Sequence, residues 1–258
     1  MEIDSKDQNY LSPALPRIFA HRGFTTAGLV ENTMPAFRAA IELGATHLES
    51  DIQVTLDGVP VLFHDENLAR VAGLPQKISE LTIEELSELA NTKSFEIPTL
   101  REALTEMPTA RFNLDLKVSA AIAPTASLIN ELGAQERILV ASFSESRRGK
   151  TVKAISGSVV SSAGGTRVLA LWLAAKLGLG LAVRRLASPI QALQIPVKQG
   201  PIRFDSPSFI AQMTAAGLEL HYWTINDSAE MRRLIGLGAH GIVTDRTDIA
   251  VKILGKAS

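Results

Sequence analysis

The chain has 258 residues, 46% hydrophobic and 21% charged, enough apolar material for one large domain or two small ones. A net charge of −1 argues against nucleic acid or an anionic membrane held through bulk charge. The absence of cysteine excludes disulfides, thiolate chemistry and Cys-ligated zinc.

Residues 1–16 read as an N-terminal extension whose first dozen residues are loosely held. They are acidic and polar, without the basic-then-apolar pattern of a secretory signal, so the expected location is the cytoplasm. A first strand, RIFAH, is predicted at 17–21, and Asn32 stands where it can cap the helix that follows. The second strand, THLESDI at 46–52, runs into QVTLDGVPVLFH, which reads as a hairpin turning at Asp57-Gly58. Thr82 with Glu85 and Thr99 with Glu102 each spell a capping box, the first opening a short acidic helix. Residues 53–98 are too many for a simple strand-to-helix connection, so they read as a small insertion after strand two. Further strands are predicted at 111–117, 137–143, 157–162, 189–196, 218–226 and 241–245. Ser206-Pro207 marks one intervening helix start, and Asp227 with Glu230 another. The most apolar stretch, 168–186, carries Lys176, several glycines and Arg184-Arg185, which make it a poor membrane span. A buried or surface amphipathic segment is expected there, with no stable membrane insertion. Strand and helix alternating about eight times predict a parallel α/β fold, best satisfied by a (β/α)₈ TIM barrel over 17–258. A doubly wound open sheet is the alternative, disfavoured because no G-x-G-x-x-G opens the chain.

Residues two apart on a strand face the same way. Glu49 and Asp51 therefore project together, as do Asp115 and Lys117, and His221 and Trp223, while His21 and Arg22 end the first strand. These positions crowd the C-terminal strand ends, where a (β/α)₈ barrel carries its active site. Carboxylates converging in a barrel mouth need a cation, a shared proton or a paired base. Oxygen-only donors favour a hard divalent ion, Mg²⁺ or Ca²⁺. The hairpin returns His64 over the same mouth, near His21. Two histidines, a metal, Arg22 and Lys117 suit acid-base work on a phosphate ester. Each residue also has a plainer use: His21 as an ordinary strand-end histidine, Asp65 as a turn cap, Asn32 as a helix cap, Lys117 as a snorkelling surface lysine, Trp223 as barrel core. What favours chemistry is how many of them share strand ends.

AHRG at 20–23, ENTMPAF at 31–37, LESDIQVTLDGVPVLFHD at 48–65, NLDLK at 113–117, WTIND at 223–227 and GIVTDRTD at 241–248 together resemble the glycerophosphodiester phosphodiesterase family, in order and across nearly the whole domain. The resemblance implies a (β/α)₈ barrel with an insertion after strand two. It also implies metal-dependent hydrolysis of small glycerophosphodiesters to sn-glycerol 3-phosphate and an alcohol. By the same resemblance His21 and His64 are the catalytic histidines and Glu49, Asp51 and Asp115 the metal carboxylates. Arg22 and Lys117 bind phosphate, and Trp223 is the substrate-side aromatic. Asp115 departs from the family's usual glutamate and is one C–C bond, ~1.5 Å, shorter, which requires a closer strand or a bridging water. Two other readings are weighed: a phospholipase-D-like activity on lysolipids or sphingolipids, and a non-catalytic phosphodiester-binding protein.

Overall fold

The computed structural model describes residues 9–26 and 28–255. Eight parallel strands carry the fold: β1 (Arg17–His21), β2 (His47–Val54), β4 (Phe112–Leu116), β5 (Ile138–Ala141), β6 (Val160–Ser161), β7 (Ala192–Ile195), β10 (Glu219–Tyr222) and β11 (Gly241–Thr244). Their hydrogen-bonded order is β6-β5-β4-β2-β1-β11-β10-β7. A parallel bridge between Ser162 and Ala192 joins the two ends, helped by the Ser161 amide donating to Gln191 Oε1. The sheet is a nearly closed barrel, and the open doubly wound alternative is set aside. Strands 157–162 and 218–226 come out shorter than the sequence suggested; β6 pairs over two residues only.

The hairpin is present. β3 (Pro60–Leu62) pairs antiparallel to β2, with Val54 opposite Pro60, and Gly58 turns at φ +86°. With α2 (Ala69–Ala72) and α3 (Ile83–Lys93) it forms the insertion, which has its own small core of Val61, Phe63, Leu68, Ile78 and Leu86. The capping boxes at Thr82 and Thr99 both form, the second opening α4 (Leu100–Glu106). Ser206 caps α9 (Pro207–Ala215) and Asp227 caps α10 (Ser228–Gly236). At α1 (Met34–Leu43) the cap is Thr33, not Asn32. The 168–186 stretch folds as two helices, α7 (Gly165–Lys176) and α8 (Gly180–Ala187). Among the described residues no helix is long and apolar enough to cross a membrane.

Two apolar layers lie between sheet and helices, while the barrel interior is filled by Phe19, Leu139, Ala141, Ala192, Val243 and Tyr10. Tyr10 is fully buried and its amide donates to the Glu136 carbonyl. Its ring meets His47 edge-on at 4.5 Å. Residues 9–12 are therefore fixed at the N-terminal end of the barrel rather than loosely held; residues 1–8 lie outside the described residues. Arg17 pairs with Glu219 at 2.7 Å and donates to the Leu11 and Pro13 carbonyls. His221 is buried against Phe19 and bonded to Glu219 at 3.0 Å, so it belongs to the barrel floor and does not share the mouth with Trp223.

Candidate active site

The opposite end of the barrel opens into a cavity of about 550 Å³, lined by all eight residues to which the family resemblance gives a role: His21, Arg22, Glu49, Asp51, His64, Asp115, Lys117 and Trp223. Strand register brings them together. His21 stands beside Glu49 in the β1–β2 ladder, and Asp51 beside Asp115 in the β2–β4 ladder. Neighbouring strands are ~4.8 Å apart, so like charges there must be compensated. The hairpin supplies His64 from the far side.

The β1–α1 turn is built for close approach. Arg22 has φ 56° and Gly23 φ 85°. A Cβ on Gly23 would lie 2.8 Å from the Ala36 carbonyl carbon, so only glycine fits. That geometry aims the Arg22 amide at Glu49 Oε2, 3.0 Å away. The Arg22 guanidinium lies between Glu31 and Asp51, 3.1 Å from each. Asn32 Nδ2 donates to Asp51 Oδ2, and Ser50 Oγ donates to Asn32 Oδ1. Asn32 thus orients a site carboxylate while Thr33 caps the helix.

Each histidine is held by a carboxylate at Nδ1: His21 by Asp245 at 2.6 Å and His64 by Asp65 at 2.6 Å. Asp245 is in turn bonded by Asn226 Nδ2 at 2.7 Å. Burial favours the neutral His21 ring, but the Asp245 hydrogen bond and the Glu49 charge outweigh it, and its pKa is raised. Burial, reinforced by Asp51, pushes Glu49 up to about 7. Burial acts the same way on Asp51, yet Lys117 and Arg22 hold that carboxyl below the usual range. Phe143, missed in the sequence, faces Trp223 with ring centroids 5.9 Å apart, and together they wall one side.

A parallel barrel with an insertion after its second strand and paired histidines and carboxylates at its mouth points to one kind of chemistry. Residues 21–249 match the glycerophosphoryl diester phosphodiesterase family.

The chain belongs to this family.

It is 36% identical over 236 residues to the probable glycerophosphodiester phosphodiesterase 2 of Mycobacterium tuberculosis, covering 91% of this chain and 89% of that one. It is 26% identical over 272 residues to a human lysophospholipase D, covering 93% and 85%. The fold matches that of a phosphodiesterase of Oleispira antarctica, solved in complex with the product sn-glycerol-3-phosphate, with TM-score 0.72, 24% identity and coverage of 91% and 94%.

The family resemblance implies a divalent metal, and the donor set suits one in part. Glu49, Asp51 and Asp115 face the cavity against only Lys117 and Arg22 as permanent cations. Asp115 Oδ1 is buried without a hydrogen-bond partner, an acceptor that a cation or its water would satisfy. Burial and the Asp51 charge both work against the Glu49 carboxylate, and a bound cation would offset both. Among the described residues, however, no three acidic or imidazole groups cluster closely enough to enclose an ion. Lys117 Nζ lies 2.7 Å from both Asp51 Oδ1 and Asp115 Oδ2. In this family member the shorter Asp115 is thus tied to a lysine rather than reaching towards Glu49.

Proposed function

We propose that the protein hydrolyses small glycerophosphodiesters to sn-glycerol 3-phosphate and an alcohol, with Mg²⁺ or Ca²⁺ as cofactor and in the cytoplasm. The observation that carries this reading is the pair of imidazoles facing one cavity, each fixed at Nδ1 by its own carboxylate. That leaves each Nε2 for proton transfer, one removing a proton from the attacking hydroxyl and the other protonating the leaving alcohol. Glu49 and Asp51 would hold the cation, with Asp115 joining through Oδ1 or a bridging water. When bound, the cation offsets phosphate charge and lowers the pKa of the glycerol hydroxyl.

The attacking group we assign is the substrate's own glycerol 2-hydroxyl, giving a cyclic phosphate that water then opens. A vicinal hydroxyl is already positioned, so little translational entropy remains to be lost. Arg22 and Lys117 share the charge that builds on the phosphoryl oxygens. Both are drawn from carboxylates to do so, which keeps them oriented before substrate enters. Trp223 and Phe143 pack against the glycerol or the leaving group. A 2-deoxy analogue of glycerophosphocholine should bind as a competitive inhibitor and release no choline. Turnover of that analogue at the rate of the parent would show direct attack by water and require a new assignment of the histidines.

A further inference from the structure

The net charge of −1 conceals a strong asymmetry. Residues 146–204 contain ten of the 26 Lys and Arg residues and none of the 27 Asp and Glu residues. The rest of the chain is correspondingly acidic. The same segment carries five of the eleven large apolar side chains left exposed among the described residues. Leu169, Leu173, Leu177, Leu179 and Leu181 are between 50% and 84% exposed.

Their placement is orderly. Leu169 and Leu173 on α7 and Leu177 at its C-cap recur every fourth residue, so they form one stripe, while Val168, Leu171, Ala174 and Ala175 pack inward. Leu179 and Leu181 continue it through the α7–α8 turn into the first turn of α8. The upper end of the stripe is the cavity itself: Leu169 lines it, as does the neighbouring Phe143, which is 65% exposed. Monomeric proteins seldom leave such a contiguous apolar strip in water without a partner for it.

The charges flanking the strip say what that partner is. Lys176 lies over the Trp172 ring, 4.9 Å from its centroid. Arg184 and Arg185 are exposed on α8, and no ion pair reaches either of them among the described residues. Lys198, on the β8 (Lys198–Gln199) and β9 (Ile202–Arg203) hairpin, is exposed beside the cavity residues Gln199 and Ile202. Leucines flanked by unpaired cations and a cation-bearing tryptophan are the composition of a helix that lies in a bilayer interface. A protein partner would have to bring both a leucine-sized groove and several acids. An anionic phospholipid surface offers apolar chains and negative headgroups together.

We propose that the α7–α8 corner is a peripheral docking surface for membranes rich in anionic phospholipid, with its apolar stripe running from the interface to the rim of the active-site cavity. The helices lie on the bilayer and do not span it. Leu177, Leu181, Arg184 and Arg185 lie outside the lining of the active-site cavity, so docking through them stands or falls separately from the reaction.

The test is co-sedimentation of the full-length protein with vesicles of phosphatidylcholine alone and of an equimolar mixture with phosphatidylglycerol. Each cation near an anionic surface strengthens binding by about fivefold, so the mixed vesicles should bind on the order of tenfold more tightly or better. Leu177→Glu combined with Leu181→Glu should abolish sedimentation. Arg184→Gln combined with Arg185→Gln should weaken binding to the mixed vesicles on the order of tenfold while leaving the leucines in place. Both pairs should retain wild-type circular dichroism and wild-type turnover of glycerophosphocholine. Absence of vesicle binding by the wild type would overturn the proposal. So would binding that neither pair of substitutions alters, or a concentration-dependent dimer abolished by the leucine substitutions in place of vesicle binding, which would make this face an interface between copies of the chain. Vesicle binding with no turnover of glycerophosphocholine would support docking and count against the catalytic reading.

Discussion

Asp245→Asn isolates the least expected part of the active site. Asp245 touches no substrate in the proposed mechanism; it acts by holding His21 through a 2.6 Å bond to Nδ1, and Asn226 holds it in turn. Asparagine preserves the shape but removes the charge and presents an amide that can donate to Nδ1, which would invert the tautomer and leave Nε2 carrying the proton. A hydrogen bond to a charged group is worth about 1.5–3 kcal/mol. The His21 side chain is 21% exposed and Asp245 41%, so screening places the loss at the lower end, about 1–2 kcal/mol. That corresponds to a ~5–30-fold fall in kcat. Direct removal in His21→Ala should cost more, on the order of 10²–10⁴. The assay is choline release from glycerophosphocholine under saturating Mg²⁺ or Ca²⁺, with KM and thermal midpoint measured alongside. The expected pattern is a lowered kcat, KM within about threefold and an unchanged midpoint. A kcat equal to wild type, or a loss confined to KM, would refute the assignment of Asp245 as the residue that positions His21.

Chelation should abolish activity, and added Mg²⁺ or Ca²⁺ should restore it; full activity in a metal-free preparation would contradict the cation assignment. Glu49→Gln and Asp51→Asn should each weaken cation binding, read by calorimetric titration, more than Asp115→Asn does, because Asp115 Oδ2 is already engaged by Lys117. Stability should fall with acid in two windows. Burial depresses the His47 pKa well below its ordinary 6.5, so its contribution is present above 6.5 and is lost as pH drops towards the folded value. Burial opposes ionisation of Glu219, but hydrogen bonds from Arg17 and His221 prevail and hold it down to about 2 from 4.5. Its contribution, about 1–3 kcal/mol after allowing for partial exposure, is present above 4.5 and is lost as pH falls through 2. Urea midpoints across pH 7 to 2 should show both losses, and Glu219→Gln should remove the second; an unchanged slope below pH 4.5 in that variant would show that the Arg17–Glu219 pair is not responsible.

The barrel was legible because its signals are local. The β2–β3 hairpin follows from Asp57-Gly58 at its turn, and the caps at Thr82, Thr99, Ser206 and Asp227 are read within four residues. The convergence of Glu49, Asp51, Asp115 and Lys117 follows from strand periodicity plus a parallel sheet. What escaped the sequence depends on contacts between distant segments. Asp245 meets His21 across 224 residues, and its only signal was a carboxylate just past the last strand, in the same position as the other site residues. Lys117 and Asp115 project together, as expected, but periodicity does not say that the lysine will lie between Asp51 and Asp115. Asn32 looked like a cap because it precedes a helix; the left-handed turn at φ 56° shifts the cap to Thr33 and turns Asn32 onto Asp51. His221 shares a face with Trp223 but sits one layer deeper, and depth within a barrel is not encoded by alternation. The net charge concealed the cationic stretch because opposite asymmetries cancel in a sum.

In the proposed reaction the site cleaves the bond between phosphorus and the alcohol remote from glycerol, and the glycerol side keeps the phosphate. Phosphorus NMR of glycerophosphocholine during turnover reads this directly. The diester resonance should be replaced by sn-glycerol 3-phosphate, with a glycerol cyclic phosphate transiently visible when the second step is slowed. Appearance of phosphocholine in place of glycerol 3-phosphate would contradict it, since the glycerol hydroxyl could then not have been the attacking group.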